Sequence, residues 1–504
     1  MPSRSMSPFF QSPFSTSRFF AWKSAIAFIA LGTLLHFDTT LATDSKPGIV
    51  VNNHKAGSEV RYPVILLRGQ LDGTETEDAN TLKIANAQSP EHAQPVTVIT
   101  RGSQFKALVH LSEGKNLITL EHPSATTRQL EITYTPQTNP HYVRLIWMTD
   151  DSGQTEFATP NDSVTQDYEA RLRTAALLMQ TFTAERMRDL GYGQRTFRLE
   201  TDADGQIIVH TWKGDRPKED YYAQADNQTW WPNVRRWIDE THPDPMAKNV
   251  VLAAYTRKDP RTGKMLGHTA LGGANLGLFG SASVFSWPSD IQTAMKVFQD
   301  DSPIDATRVH DDSAFRSRVW ALASTTIGAT LHETGHAMGL PHCTDPMGIM
   351  TRGFDHFHRV FTFQDPPSNQ NKKVRPFSNQ QEAYFAPVSA SFLRWSPWFA
   401  LDAPDSTSGR PKVEVNEAEE KVSIQSPSGI AWIGFHSRDT IETFREYGSH
   451  GTPADDHPEK VELTFEEIRQ IKPNKDIRRI VVLTPEGVSR NVRLPETKTQ
   501  ASGS

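Results

Sequence analysis

His332-Glu333-Thr334-Gly335-His336-Ala337-Met338-Gly339-Leu340-Pro341-His342 is the stretch from which the rest of this 504-residue sequence is read. Residues four apart share one face of a helix, so His332 and His336 can hold a single ion from consecutive turns. Glu333 is rotated off that axis and can reach a water on the ion instead. Gly339 can take the positive φ that ends a helix sharply, which lets the chain return and bring His342 to the same ion. Pro341 keeps the helix from resuming. Three neutral imidazoles suit one Zn2+ and leave a fourth position for water, the arrangement of a catalytic rather than a closed structural site.

Working outward, the helix that carries this stretch is expected to begin near Asp312 or Ser313 and to continue past Val319, Leu322, Ile327 and Leu331. Before it, the Gly- and Ala-rich segment Leu271 to Phe285 reads as an exposed edge strand. Further back come a buried strand from Val143 to Met148, a helix from Thr165 to Leu190 stopped at Gly191, and strands at Thr196 to Glu200, Ile207 to Thr211 and Val250 to Tyr255. Asp202-Ala203-Asp204-Gly205 is read as a hairpin turn, because the other ligands of a calcium loop are absent. A short helix from Ser389 to Trp395 closes this region.

Both flanks alternate with period two. Segments between Gly48 and Tyr134, separated by turns such as Arg101-Gly102-Ser103, predict an immunoglobulin-like β-sandwich. Lys421 to Ile424, Ile430 to Phe435, Val461 to Leu463 and Ile480 to Leu483 predict a second β-rich unit, with one helix opened by the capping box Thr464-x-x-Glu467. Residues 43–138 therefore form the sandwich, 139–401 the central domain, 402–411 a linker, 412–496 the small β-rich domain and 497–504 a disordered tail.

Charge is nearly balanced, 53 Lys plus Arg against 59 Asp plus Glu, and a net charge of −6 offers no basic stripe for nucleic acid. The single cysteine, Cys343, forbids an internal disulfide and a cysteine-only metal cluster, and reads as a small packed residue. Arg4, Arg18 and Lys23 precede the apolar run Ala25 to Phe37, and small residues at Thr40 and Ala42 suit cleavage, so residues 1–42 read as a signal peptide. Export follows, secreted or periplasmic, with an uncleaved membrane anchor as the alternative.

At this point the sequence resembles the metzincin zinc peptidases, whose signature HExxHxxGxxH is matched by His332 to His342. Met350, eight residues after His342, resembles the family's Met-turn. The His-Glu-Thr-Gly-His core, Trp395-Ser396-Pro397-Trp398 and the flanking β-domains also resemble an uncharacterised family of zinc metallopeptidases. The resemblance implies an α+β fold, with a metzincin-like catalytic domain of twisted mixed sheet and zinc helix between the two β-domains. It implies a zinc ion on His332, His336 and His342, with Glu333 as general base and acid. Two departures limit it: position 352 is Arg, so no tyrosine ligand is implied there, and Cys343 lies beside the third histidine, which excludes cysteine-switch latency.

The expected function is a secreted zinc metalloendopeptidase acting on a peptide or protein substrate. That substrate would lie extended along Leu271 to Phe285, with Phe354, His356 and His358 shaping the pocket beyond the scissile bond. Asp355-His356-Phe357-His358 is read as a solvated loop rather than a second metal site. The alternative is a secreted or surface-attached binding or adhesion protein whose β-domains contact a surface or glycan and whose zinc domain is silent. Glu333 argues against silence, since a structural zinc has no need of that carboxylate.

Overall fold

The alternating N-terminal segments pair into two four-stranded sheets. In the computed structural model, residues 48–72, 79–88, 96–160, 165, 167–223, 227–402, 409–448 and 457–495 are described. The expected signal peptide and tail, and most of the linker 402–411, lie outside the described residues. One sheet runs Ile49–Val51, Val64–Leu71, Gln104–His110, Val98–Arg101, and the other Ser58–Val60, Arg128–Tyr134, Gly114–Glu121, Lys83–Asn86. The apolar run Val60 to Leu67 thus divides between the two sheets, with Pro63 in the break. Val64–Leu71 is apolar on successive residues because both of its faces are buried: Ile65 and Leu67 fill the sandwich, while Val64 and Leu66 join the central core.

The central sheet has five strands in the order Val209–Lys213, Tyr142–Thr149, Ala247–Ala253, Leu276–Gly280, Ala270–Gly273. The first four are mutually parallel and the last is an antiparallel edge. Alternate side chains serve its two faces. Leu145, Trp147, Val250 and Leu252 pack with the long helix Tyr168–Asp189 and with the helix Val319–Ala337, called the metal helix below. Ile146, Met148, Val251 and Leu278 pack on the other side with Tyr221, Trp230, Val234 and Ile238. Those last residues come from the helices Lys218–Ala223 and Asn227–Thr241, which sequence reading did not anticipate.

Other expectations shift in position. The metal helix starts at Val319, because Ala314, Phe315 and Ser317 hold left-handed φ angles of 52°, 64° and 51° that no α-helix contains. Leu271 to Phe285 is not one strand: Ala270–Gly273 is the edge, Leu276–Gly280 lies inside it, and Ser281–Ser286 is a 3-10 turn. Thr196 to Glu200 contributes only an isolated bridge from Leu199 to Val143. Asp202 to Gly205 is a turn, in which the Asp202 carboxylate accepts from the amides of Asp204 and Gln206.

The C-terminal strands form a three-stranded sheet, Lys412–Asn416, Lys421–Gln425, Lys460–Thr464, and a four-stranded one, Thr440–Glu446, Trp432–Ser437, Arg479–Leu483, Ser489–Arg493. Val422, Ile424, Ile433, Phe435 and Ile480 fill the space between them. Thr464 caps the helix Phe465–Ile471, accepting from the Glu467 amide at 3.1 Å while the Glu467 carboxylate accepts from the Thr464 amide at 2.7 Å. Trp432 turns away from this core and meets Phe392 of the helix Pro387–Arg394 edge to face, with centroids 5.4 Å apart.

A buried ionic junction ties the first sandwich to the central core. The Lys106 ammonium, on a sandwich strand, donates to Glu382 at 2.7 Å and to the carbonyls of Thr362 and Arg359 at 2.7 and 3.0 Å. Arg186 of the long helix donates to the other Glu382 oxygen at 2.5 Å. Burial opposes ionisation of Glu382, but Lys106, Arg186 and Arg68 outweigh it and hold the carboxyl below the usual carboxylate range. Glu382→Gln would leave two buried cations short of a counter-charge. It should lower stability by about 3–5 kcal/mol, read by denaturant unfolding, and pairing it with Lys106→Met should restore part of the loss.

Candidate metal centre

The metal helix is buried along most of its length, so its hydroxyls must find partners within the protein. Thr326, Thr330 and Thr334 each donate to the carbonyl four residues back, at 2.7 to 2.8 Å. The helix ends where the glycine pattern predicts. Gly339 has φ of 96°, its amide donates to His336, and the Leu340 amide donates to Gly335 at 2.9 Å, a complete Schellman turn.

That turn also orients a ligand. The Leu340 carbonyl lies 2.7 Å from His336 Nδ1, and the Ile349 carbonyl lies 2.8 Å from His332 Nδ1. Because carbonyls only accept, both Nδ1 atoms carry the proton and both Nε2 atoms present a lone pair. His336 Nε2 stands 3.0 Å from His332 Nε2 and 3.3 Å from His342 Nε2. Lone pairs facing one another at such distances repel unless a cation lies between them. Zinc–nitrogen bonds of about 2.0–2.1 Å at a tetrahedral ion would place the nitrogens about 3.3 Å apart, so the donor set fits zinc. Burial, with His336 and His342 close by, lowers His332 to about 3, and burial lowers His336 as well, so both rings are neutral as ligands must be.

Glu333 is buried beside His332, and that burial pushes its carboxyl up to about 8 in the metal-free protein. Met350 is fully buried against the same helix; a Cβ at Gly335 would come within 2.5 Å of its sulfur. Thr351 fixes the chain between His342 and Met350, since its hydroxyl donates to the Cys343 carbonyl at 2.7 Å. Cys343 is buried, and that burial raises its thiol, which keeps it inert. The third histidine is held from a distance: the Ile441 amide of the C-terminal sheet donates to the His342 carbonyl at 3.0 Å.

The edge strand meets the helix through glycine. A Cβ at Gly272 would lie 2.2 Å from the Glu333 carbonyl oxygen, and one at Gly277 would lie 3.0 Å from it. Residues 353–360 correct an expectation. They form a 3-10 turn packed on the metal helix, with Asp355 and His358 buried, and not a solvated loop. Ser324 lies 2.9 Å from His358 Nδ1 and Asp365 3.0 Å from its Nε2, so His358 is turned into the core and does not shape a pocket. Phe354 does reach the site, its ring centroid 5.3 Å from that of His332 in an edge-to-face contact and its face under the Arg352 guanidinium. Sequence reading missed the carbonyls of Ile349 and Leu340 because a backbone acceptor has no residue type to mark it.

A family model described as "Putative peptidase family" matches residues 48–431, more than half of the sequence, and the chain belongs to that family. Among curated proteins, one from Schizosaccharomyces pombe named as a putative zinc metalloproteinase is 28 % identical over 340 residues, 63 % of this chain and 54 % of that one. Another so named, from Saccharomyces cerevisiae, is 23 % identical over 476 residues, 84 % of this chain and 67 % of that one. The match thus spans about half to two thirds of these relatives' lengths. The crystal structure of wild type OgpA from Akkermansia muciniphila aligns with 71 % of this chain and 94 % of its own, at 17 % identity and a TM-score of 0.43. That likeness is too distant for anything about this chain to follow from it.

The two glycines of the edge strand make different demands. A Cβ at Gly273 would meet only Trp231, at an ordinary 3.6 Å. Gly272→Ala should therefore destabilise the protein by about 1–3 kcal/mol through overpacking and weaken metal retention, whereas Gly273→Ala should do neither. Unfolding midpoints and metal content of the two variants check this.

Proposed function

We propose that the chain is a zinc-dependent metalloendopeptidase of metzincin type, acting on peptide or protein substrates outside the cytoplasm. The observation that carries the reading is the convergence of three imidazole nitrogens, two with fixed tautomers, beside the buried carboxylate of Glu333. Family membership and the names of the fungal relatives support it. So do Met350, packed against Gly335 of the same helix, and an antiparallel edge strand on an otherwise parallel sheet.

His332, His336 and His342 would hold the ion, with Leu340 and Ile349 keeping the first two rings in place. When bound, zinc supplies a Lewis acid that polarises the scissile carbonyl and acidifies water. Glu333 accepts the proton of the attacking water and delivers it to the leaving amine. The outer side of Ala270–Gly273 has no neighbouring strand among the described residues, and an extended substrate would pair with it by strand addition. The basic residues Arg4, Arg18 and Lys23 ahead of Ala25 to Phe37 support export.

Glu333→Ala should keep the bound zinc and reduce cleavage of a proteome-derived peptide library by about 10²–10⁴-fold. Mass spectrometry of the wild-type and variant digests reads the difference. Unchanged cleavage by the variant would sink the proposal. An exported chain recovered from the medium or periplasm should begin at Thr43, as read by N-terminal sequencing.

A further inference from the structure

We propose that His268, His310 and Asp312 form a second site for a divalent transition-metal ion, one that clips the start of the edge strand to the segment leading into the metal helix. One ligand atom from each lies within 4.8 Å of the others, and the two rings have centroids 4.8 Å apart. The cluster shares no residue with the three-histidine site.

Each member is held where it stands. His268 comes two residues before the edge strand Ala270–Gly273, and Thr269 between them is fully buried. Gly280 of the adjacent strand leaves room for the ring, since a Cβ there would lie 3.0 Å from His268 Nδ1. Val309, just before His310, is buried with Ile304 against Leu322 of the metal helix. Asp311 is spent on its own loop, accepting from the Ser313 amide at 3.1 Å and the Ser317 hydroxyl at 2.6 Å. Asp312 is the carboxylate left to the two imidazoles.

The chemistry of the group matches a metal better than a polar cluster. His268 Nδ1 is buried with no hydrogen-bond partner, a cost that proteins seldom leave uncompensated. Burial, with His310 beside it, pushes His268 down to about 3, and burial lowers His310 although Asp312 and Asp311 oppose it. Neutral imidazoles therefore face a carboxylate. Lys258 also acts to lower His310, and its ammonium is taken up by the Ala306 carbonyl. Two imidazoles and one carboxylate form a zinc-class donor set, whereas calcium and magnesium take oxygen ligands. Such an ion would cross-link two segments about forty residues apart in sequence, one leading into the edge strand and the other into the metal helix.

The test counts metal in the full chain. With zinc as the probe, elemental analysis after dialysis should find two equivalents in the wild type and one in the His332→Ala, His336→Ala, His342→Ala variant. Adding His310→Ala and Asp312→Ala should remove the second. Zinc should raise the unfolding midpoint of the three-histidine variant, and this rise should vanish in the five-fold variant. A three-histidine variant with native circular dichroism and no bound zinc would overturn the proposal, as would two equivalents in wild-type chain carrying only His310→Ala and Asp312→Ala. Should the three-histidine variant fail to fold, anomalous scattering at the zinc edge from wild-type crystals decides: a peak among His268, His310 and Asp312 supports the site, and its absence refutes it. Failure of the peptidase reading would leave this second equivalent in place.

Discussion

Everything at the centre follows from one close approach, that of the edge hairpin to the metal helix at the Glu333 carbonyl. A side chain at Gly272 or Gly277 would hold the two backbones apart. With none there, the last turns of the helix lie directly against the border of the sheet, beside a strand whose outer side has no neighbouring strand among the described residues. The same economy runs along the helix. Gly328 lets the 353–360 turn sit against it, Gly335 admits the Met350 sulfur, and threonines that bond back to their own helix replace bulkier residues. Close packing of this kind has little room to relax, so small additions are felt as displacement.

The outlying β-structures are joined to this centre by different physical means. The first sandwich shares a two-faced strand with the core and is pinned by the Lys106, Glu382 and Arg186 junction. A buried junction of this kind fixes geometry more than it adds net stability, because the attraction it supplies is largely offset by desolvation. The C-terminal sheets use an aromatic contact, Trp432 on Phe392, and a backbone bond to His342. Non-polar contact gives cohesion and the backbone bond gives register.

How much of this was legible depended on whether a residue type announced its own role. His332, Glu333, His336, Gly339, Pro341 and His342 each have a geometric reason for their place, and the Schellman turn at Gly339 and the capping box at Thr464 form where their residue types predict. Helix Asn227–Thr241 was invisible because its tryptophans, asparagines and Pro232 are poor helix formers, and packing against the sheet overrides that. Asp355 to His358 reads as a solvated loop, yet Ser324 and Asp365 satisfy His358 inside the protein. The delayed start of the metal helix depends on three non-glycine residues in left-handed conformations, for which sequence offers no marker. The close approach at Gly272 was read as a feature of an exposed strand, since glycine marks space without saying what fills it.

The bond from Ile441 to His342 gives the third ligand two masters. Its side chain faces the other two imidazoles, while its carbonyl is the partner of a strand about a hundred residues further along the chain. His342 is also the exposed member of the three and lies beyond the helix end, so nothing helical restrains it. On the proposed reading, the ordering of the distal sheet would enter the chelate effect itself: with that sheet in place three donors would arrive preassembled, and without it two helical donors would await a third. Affinity for the ion would then be a gauge of whether the far end of the molecule has finished folding.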